Sequence, residues 1–216
     1  MVVAIDGPAG VGKSSIAKMV AERSGFSYLN SGSFYRAYTY LHLCEGGAAE
    51  DLGGLLKRAK ETVVQIKDGH LFLDGIDIED KLHTAMVDRH VAAISAYVPL
   101  RSYVNEQLVR IAEKSDVIVE GRDITTVVFP HAELKIFFDA EAEVRAQRRF
   151  LQHPDGLTFD EVLAQIIARD EIDRNKPVGA LKVAEDALYV DTSHLTMEQV
   201  CEKVLSAIFA RKSDSK

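Results

Sequence analysis

Only two cysteines, Cys44 and Cys201, occur in 216 residues, with no C-x-x-C pair and no histidine beside them at ligand spacing. That disfavours a disulfide framework and a zinc site, and both are expected as small apolar residues of the interior. The seven histidines are scattered, without H-E-x-x-H or any other metal spacing, and none is expected to be catalytic. A G-x-S-x-G nucleophile elbow is missing too. No apolar run approaches the roughly 20 residues that cross a bilayer. The opening MVVAIDGPAG has no basic stretch of the kind that begins a signal peptide. A cytoplasmic protein that does not engage membranes is therefore expected. Positive charge is also short: 26 Lys and Arg face 33 Asp and Glu, a net −7, which disfavours nonspecific nucleic-acid binding. A local arginine cluster can still dominate the potential of a cleft and hold an anion. Aromatics are few (7%), and no repeat or low-complexity segment interrupts an ordinary globular composition, 47% hydrophobic and 27% charged. The length suits one α/β domain with a modest insertion.

Against these absences stands Gly7-Pro8-Ala9-Gly10-Val11-Gly12-Lys13-Ser14, which fits G-x-x-x-x-G-K-[ST]. It follows the apolar run Val2-Val3-Ala4-Ile5 and precedes a helical pattern, the context a phosphate-binding loop needs. Glycines let consecutive backbone N–H groups turn toward phosphate oxygens. Lys13 adds a cation for the β and γ phosphates, and the Ser14 hydroxyl can ligate Mg²⁺. The ATP-binding set therefore runs from Gly7 through Ser14 to Ser15. A Gly-rich turn without a ligand is the plain alternative, and the strand–loop–helix context disfavours it.

Four more short apolar runs, Phe26–Leu29, Val117–Val119, Leu134–Phe138 and Leu188–Val190, look like strands buried on both faces. Helical patterns alternate with them at Ser15–Ser24, Phe34–Leu43, Leu100–Glu113, Glu141–Leu151, Phe159–Arg169 and Met197–Arg211, the last opened by a capping box at Thr196 to Gln199. The alternation implies a parallel sheet covered by helices, with ligands at the strands' carboxyl ends. One region breaks it. After Gly46-Gly47 and a helical piece, Thr62–Ile66, the turn Lys67-Asp68-Gly69 and His70–Leu73 form a hairpin signal. Residues from about 46 to 95 thus read as an inserted lobe with a small antiparallel sheet, covering a second substrate. The polar tail from Arg211 to Lys216 is expected to fray.

Three more constellations carry chemistry. In Asn30-Ser31-Gly32-Ser33-Phe34-Tyr35-Arg36, just past the second strand, Ser31 offers a hydroxyl and Arg36 a guanidinium that can clamp phosphate; an N-cap serine with a solvated arginine is equally admissible. Glu120-Gly121-Arg122-Asp123 stands at another strand's carboxyl end, with Arg122 placed for phosphate and two carboxylates for a base or for metal-bound water. A turn with a surface ion pair is the alternative. Ser31, Arg36, Arg122 and the loop are expected to converge on one crevice. Arg145, Arg148 and Arg149 share a helix face, and Arg169 to Lys176 follow with Arg169/Asp173 and Asp170/Arg174 at i, i+4. For this charged face as a whole, surface salt bridges are the better reading. A few of its arginines suit a mobile lid over a phosphoryl-transfer site, a region of about 145 to 177.

Together these residues resemble the cytidylate kinases, a nucleoside-monophosphate kinase family of the P-loop class. The likeness spans nearly the whole chain, through Ala4 to Ser14, Ser31-Gly32, Tyr35-Arg36 and Gly121-Arg122-Asp123 with Thr126 to Pro130. It continues through Lys135 to Ala140, Arg169-Asp170 with Asp173, Ala184 to Ala187 and Asp191-Thr192. The resemblance implies a P-loop kinase fold with a five-stranded parallel sheet, a monophosphate-binding insertion and a short arginine-rich lid. It implies transfer of the ATP γ-phosphoryl group to CMP or dCMP with Mg²⁺, by a monomer. Lys13, Arg122 and Arg169 would be catalytic. Arg36 and Arg122 would hold the acceptor phosphate, Ser31 and Asp123 would help form its pocket, and Arg169 and Asp173 would meet sugar hydroxyls and lid-side phosphates. Three positions depart from the family pattern. Asn30 stands where Asp is common, and Lys176 replaces an arginine. Ser95 and Arg101, the cytosine-contact candidates, are shifted in spacing around Pro99. These bear on cytosine selection more than on reaction type. Open alternatives are a P-loop kinase for UMP, AMP, shikimate or dephospho-coenzyme A, and an ATP-binding regulatory module that is not a kinase.

Overall fold

The five apolar runs become five parallel strands in the computed structural model, which describes residues 1–67, 69–152 and 156–214. They are β1 (Val2–Asp6), β2 (Ser27–Asn30), β6 (Val117–Gly121), β7 (Leu134–Asp139) and β8 (Leu188–Asp191), in the order β2-β6-β1-β7-β8. Central β1 pairs Val3 with Ile118 on one side and with Leu134 on the other. Apolar content on both faces is what a central parallel strand requires, and Val3, Ala4 and Ile5 are all fully buried. One face packs on α1 (Lys13–Ser24) and α8 (Met197–Asp214), where Ile5, Ile136 and Phe138 meet Ile16, Val20, Val204 and Ile208. Two further helices, α6 (Ala142–Gln152) and α7 (Phe159–Asn175), pack on each other through Ala146, Val162 and Ile166.

By contact density the chain divides into one unit of residues 1–28 and 114–216 and a second of residues 29–113. The second unit holds α2 (Ser31–Cys44), α3 (Leu52–Glu61), α4 (Ala85–Ile94) and α5 (Val98–Ala112). Beside them is a three-stranded antiparallel sheet of β3 (Val64–Lys67), β4 (His70–Leu73) and β5 (Ile76–Asp77). The hairpin expected from the Asp-Gly turn is present, with Lys67 paired to His70; Asp68 of that turn lies outside the described residues. The edge strand β5 and helix α4 were not expected from the sequence. The core of this unit is Phe34 and Tyr38 of α2 with Leu55, Leu82, Ile94, Leu100 and Leu108.

Helix starts follow local chemistry. The Asn30 side chain accepts a hydrogen bond from the Gly32 N–H at 2.8 Å and caps α2. That is work Asn and Asp do equally well, so this departure from the family pattern is neutral for the fold. The Thr196 box forms as expected, Gln199 N–H to Thr196 Oγ1 at 3.2 Å and Thr196 N–H to Gln199 Oε1 at 2.9 Å. A second box, Thr158 with Glu161, opens α7. Two expectations need correction. Cys201 is buried, but Cys44 is exposed, because it is the last residue of α2. The tail does not fray at Arg211: α8 continues to Asp214, and residues 215 and 216 lie outside the described set. No described helix is long and apolar enough to cross a membrane.

Candidate active site

The phosphate-binding loop leaves the carboxyl end of β1 and enters α1 through Gly12, whose φ of +93° glycine tolerates freely. A Cβ at Gly7 would overlap the carbonyl oxygen of Phe138, so the start of the loop lies tight against β7. Lys13 is buried, and its Nζ donates to the carbonyls of Gly7 (2.8 Å) and Pro8 (2.7 Å). Its pKa is lowered to about 7, first by burial and then by the Arg122 cation, against the pull of Glu120, Asp6 and Asp173. Lys13 and Arg122 therefore share one electrostatic site. Ser14 and Ser15 are exposed on the first turn of α1.

Arg122 follows β6 directly. Its Nε donates to Asp173 Oδ2 at 2.8 Å and its Nη1 to the Gly121 carbonyl at 3.3 Å. A guanidinium held through Nε keeps its outer Nη edge pointed away from the anchor, the edge that grips phosphate. Asp173 is 2% exposed. Burial pushes its pKa up, but Arg122 and Lys176 outweigh that and hold it below the ordinary carboxylate value. Lys176 reaches Asp173 Oδ1 at 2.6 Å, so lysine preserves this contact where the family commonly has arginine. Arg169 is half exposed and 3.9 Å from Asp173.

The charged face of α7 thus departs from the surface salt bridges expected of it. Asp170 and Asp173 are both buried; Asp170 is gripped by Arg145 (2.6 Å), and Asp173 is held by Lys176 (2.6 Å) and Arg122 (2.8 Å) more closely than by its i, i+4 neighbour Arg169 (3.9 Å). The reason lies in the stripe Val162, Ile166, Asp170 and Asp173, the side of α7 that turns inward. Of the three α6 arginines, Arg145 is buried and Arg149 exposed. Arg148 donates to the Thr192 carbonyl (2.6 Å) and to Thr192 Oγ1 (3.2 Å).

Sequence reasoning passed over Asp6. It is fully buried at the end of β1 and accepts from the N–H groups of Ile124 (3.0 Å) and Thr125 (2.7 Å) and from Thr125 Oγ1 (2.6 Å). Those bonds pin the π-helical turn Ile124–Val128 directly after Arg122-Asp123. Burial raises the Asp6 pKa against these bonds. An acid closing a wholly apolar strand was the available signal. Glu120 is buried and accepts from the Tyr28 hydroxyl at 2.6 Å, and Asp123 is buried beside Arg122.

The second unit carries the other candidates. Ser31 is buried at the start of α2. Arg36 donates through Nη1 to the Leu82 carbonyl (2.9 Å) and to Asp88 (2.6 Å). Arg101 is 8% exposed, lies over the Tyr35 ring and donates to the Ser95 carbonyl at 3.1 Å. That bond ties the two cytosine-contact candidates together through the Ser95 backbone. The Ser95 hydroxyl turns back to Ala92 O at 3.0 Å.

The oxygen donors near the loop suit a hard cation: the Ser14 hydroxyl and the carboxylates of Glu120 and Asp123. Among the described residues no group of three or more His, Cys, Asp or Glu could hold a metal alone.

Residues 3–210 match the family model for cytidylate kinase. The chain is 39% identical to a cytidylate kinase of Carboxydothermus hydrogenoformans, covering 99% of each chain. It is 37% identical to one from Borrelia hermsii, over 98% of this chain and 100% of that one. Among solved structures, an uncharacterized protein from Eubacterium ventriosum is similar with a TM-score of 0.52 at 10% identity, covering 97% of this chain and 98% of that one, a likeness of fold alone. A phosphate-binding loop, an arginine beside its lysine and a family match across almost the full length agree: the chain belongs to the cytidylate kinase family.

Proposed function

We propose that this chain transfers the γ-phosphoryl group of ATP to CMP or dCMP, giving ADP and CDP or dCDP, with Mg²⁺ accompanying ATP. The observation that carries this, beyond the family match, is that Gly121 pairs with Asp6, so Arg122 after β6 and the phosphate-binding loop after β1 leave the same edge of the sheet, with Arg122 near enough to Lys13 to lower its pKa. Two cations around one position are what a phosphoryl group in flight requires, since its charge spreads over three oxygens. The acceptor is a phosphate oxygen, already nucleophilic, so no strong general base is needed and catalysis rests on positioning and charge neutralisation. The loop from Gly7 to Ser15 holds the ATP phosphates through its backbone N–H groups, Pro8 having none to offer, and Lys13 spans β and γ. The Ser14 hydroxyl would hold Mg²⁺ brought with ATP, which would supply further charge neutralisation. Arg122 and Arg36 hold the CMP phosphate, with Ser31, Asp123, Ser95 and Arg101 assigned to the rest of CMP. Arg169, Asp173 and Lys176 serve sugar and lid-side phosphate contacts. The stretch of about 46–95 is assigned as the monophosphate lobe and about 145–177 as the lid of a single P-loop kinase domain; residues 153–155 of that lid lie outside the described set. The chain acts as a cytoplasmic monomer on free nucleotides rather than on nucleic acid, in keeping with its net charge of −7.

A coupled ADP-release assay against CMP, dCMP, UMP, AMP, shikimate, dephospho-coenzyme A and no acceptor tests the reading. CMP or dCMP should be the best acceptor, and activity should vanish with EDTA and return with Mg²⁺. Stronger turnover of AMP or shikimate, or release of ADP independent of acceptor, would overturn it. Lys13 adds a second expectation. With its pKa near 7, most of the unliganded population is neutral at pH 8. ATP, fully ionised at that pH, favours the ammonium form, so binding should take up close to one proton. Calorimetry in buffers of different ionisation enthalpy measures this. Heats independent of buffer would contradict it, and Lys13→Met should abolish the uptake.

A further inference from the structure

One buried guanidinium has no part in the phosphoryl transfer described above. Arg145 of α6 is 3% exposed, and four of its N–H bonds are accounted for. Its Nε donates to the Ala140 carbonyl at 2.9 Å, where β7 ends. Its Nη1 and Nη2 grip both oxygens of Asp170 at 3.0 and 2.6 Å. Nη1 also donates to the carbonyl of Ala9, inside the phosphate-binding loop, at 3.1 Å. Asp170 is itself 7% exposed, on the inward stripe of α7. The pair is thus bidentate and shielded from water. It touches the loop at backbone level.

A trans peptide unit points its C=O and N–H in opposite directions. Holding the Ala9 carbonyl toward Arg145 therefore aims the Gly10 N–H away from Arg145. Packing agrees with the hydrogen bond: a Cβ added at Gly10 would lie 3.4 Å from Arg145 Cβ and 3.9 Å from Ile166 Cδ1. The loop crown is braced by α6 and α7 together. The other inward carboxylate of α7, Asp173, holds Arg122. A single helix thereby steadies the backbone of the loop and the arginine beside its lysine.

We infer that Arg145 and Asp170 are positioning residues for the donor nucleotide: Asp170 aims Arg145, and Arg145 sets the Ala9–Gly10 peptide so that the Gly10 N–H meets phosphate. This rests on the assignment of ATP to the loop. Neither side chain touches the reacting atoms.

Direct titration of the full chain with ATP and, separately, with CMP tests the inference, alongside thermal melts. Asp170→Asn should weaken ATP binding about 10-fold or more, as loss of a charge-assisted bond does, while CMP affinity stays within about twofold. The double variant Arg145→Met/Asp170→Leu replaces the buried pair by apolar groups of similar volume, an exchange proteins often tolerate without loss of stability. It should melt near the wild-type temperature and still bind ATP poorly. Should it not fold, Arg145→Lys serves instead, since one ammonium cannot span Asp170, Ala140 and Ala9, and the same selective loss for ATP is expected. A folded double variant with wild-type ATP affinity, or a parallel loss of ATP and CMP affinity, overturns the inference. If Lys13→Ala leaves wild-type ATP binding intact, the fault lies instead with the placement of ATP in the loop.

Discussion

Replacing Arg122 by alanine should lower kcat/KM by about 10²-fold or more while the chain still folds, the usual consequence of removing a preorganised electrostatic donor. The two halves of that expectation have separate causes. Activity falls because the guanidinium, aimed by Asp173 through Nε at 2.8 Å, is lost from beside Lys13. The fold persists because the buried Asp173 carboxylate keeps Lys176 at 2.6 Å, so no uncompensated charge is left inside. Arg122→Lys should rescue poorly, since one ammonium cannot bond Asp173 and a phosphate along the same line as a planar fork. Steady-state kinetics with saturating Mg·ATP and varied CMP, paired with a thermal melt, check both. A folded variant with near-wild-type turnover would remove Arg122 from the reaction.

The three inner strands β1, β6 and β7 were legible because burial on both faces of a covered parallel sheet leaves a continuous hydrophobic signature; β2 and β8, expected to be buried likewise, are the sheet's edges, where only Leu29 and Val190 are buried. β1 and β7, expected at Val2–Ile5 and Leu134–Phe138, each extend one residue further, to Asp6 and Asp139. The additions are acids, which no apolar pattern includes. α7 shows the same effect at larger scale. Apolar periodicity stops near Arg169, yet the helix runs to Asn175, because Asp170 and Asp173 take the inward positions that Val162 and Ile166 hold one and two turns earlier. A carboxylate at a core position reads as surface until its partner is known. Helix α4 was missed for a different reason: only Val87 and Ile94 of its ten residues are buried, too few to mark a face.

The same distinction governs the site. The phosphate-binding loop is legible because its chemistry is backbone geometry encoded in eight consecutive residues. Arg122 was legible from its place at a strand's carboxyl end. Asp6, Arg145 and Asp170 were not, because their work lies in their partners. Asp6 acts on Ile124 and Thr125, 118 and 119 positions away, and Arg145 acts on Ala9, 136 away. Spacing rules reach a few turns of helix and stop there. What the fold adds is three buried carboxylates, Asp6, Asp170 and Asp173, each steadying a backbone segment or an arginine.

Lys13→Met should separate stability from activity by moving them in opposite directions. A folded-state pKa of about 7 against an ordinary 10.5 means that burial of the ammonium opposes folding. The penalty is complete below pH 7, where both states carry the proton. It fades as pH rises toward 10.5, because in that window the unfolded chain binds more protons than the folded one. Methionine has nearly the same length and no charge to bury. The unliganded variant should therefore melt higher than wild type, with the gain largest at pH 7 and below and shrinking toward pH 10.5. Its kcat/KM should nevertheless fall by about 10²-fold or more, because the γ-phosphoryl group loses the cation that meets its developing charge. Melting curves across pH and steady-state kinetics at pH 7.5 test the two signs independently. A variant destabilised at every pH would mean that the bonds from Nζ to the Gly7 and Pro8 carbonyls outweigh the burial of charge. A stabilised variant that turns over like wild type would mean that phosphate meets another cation.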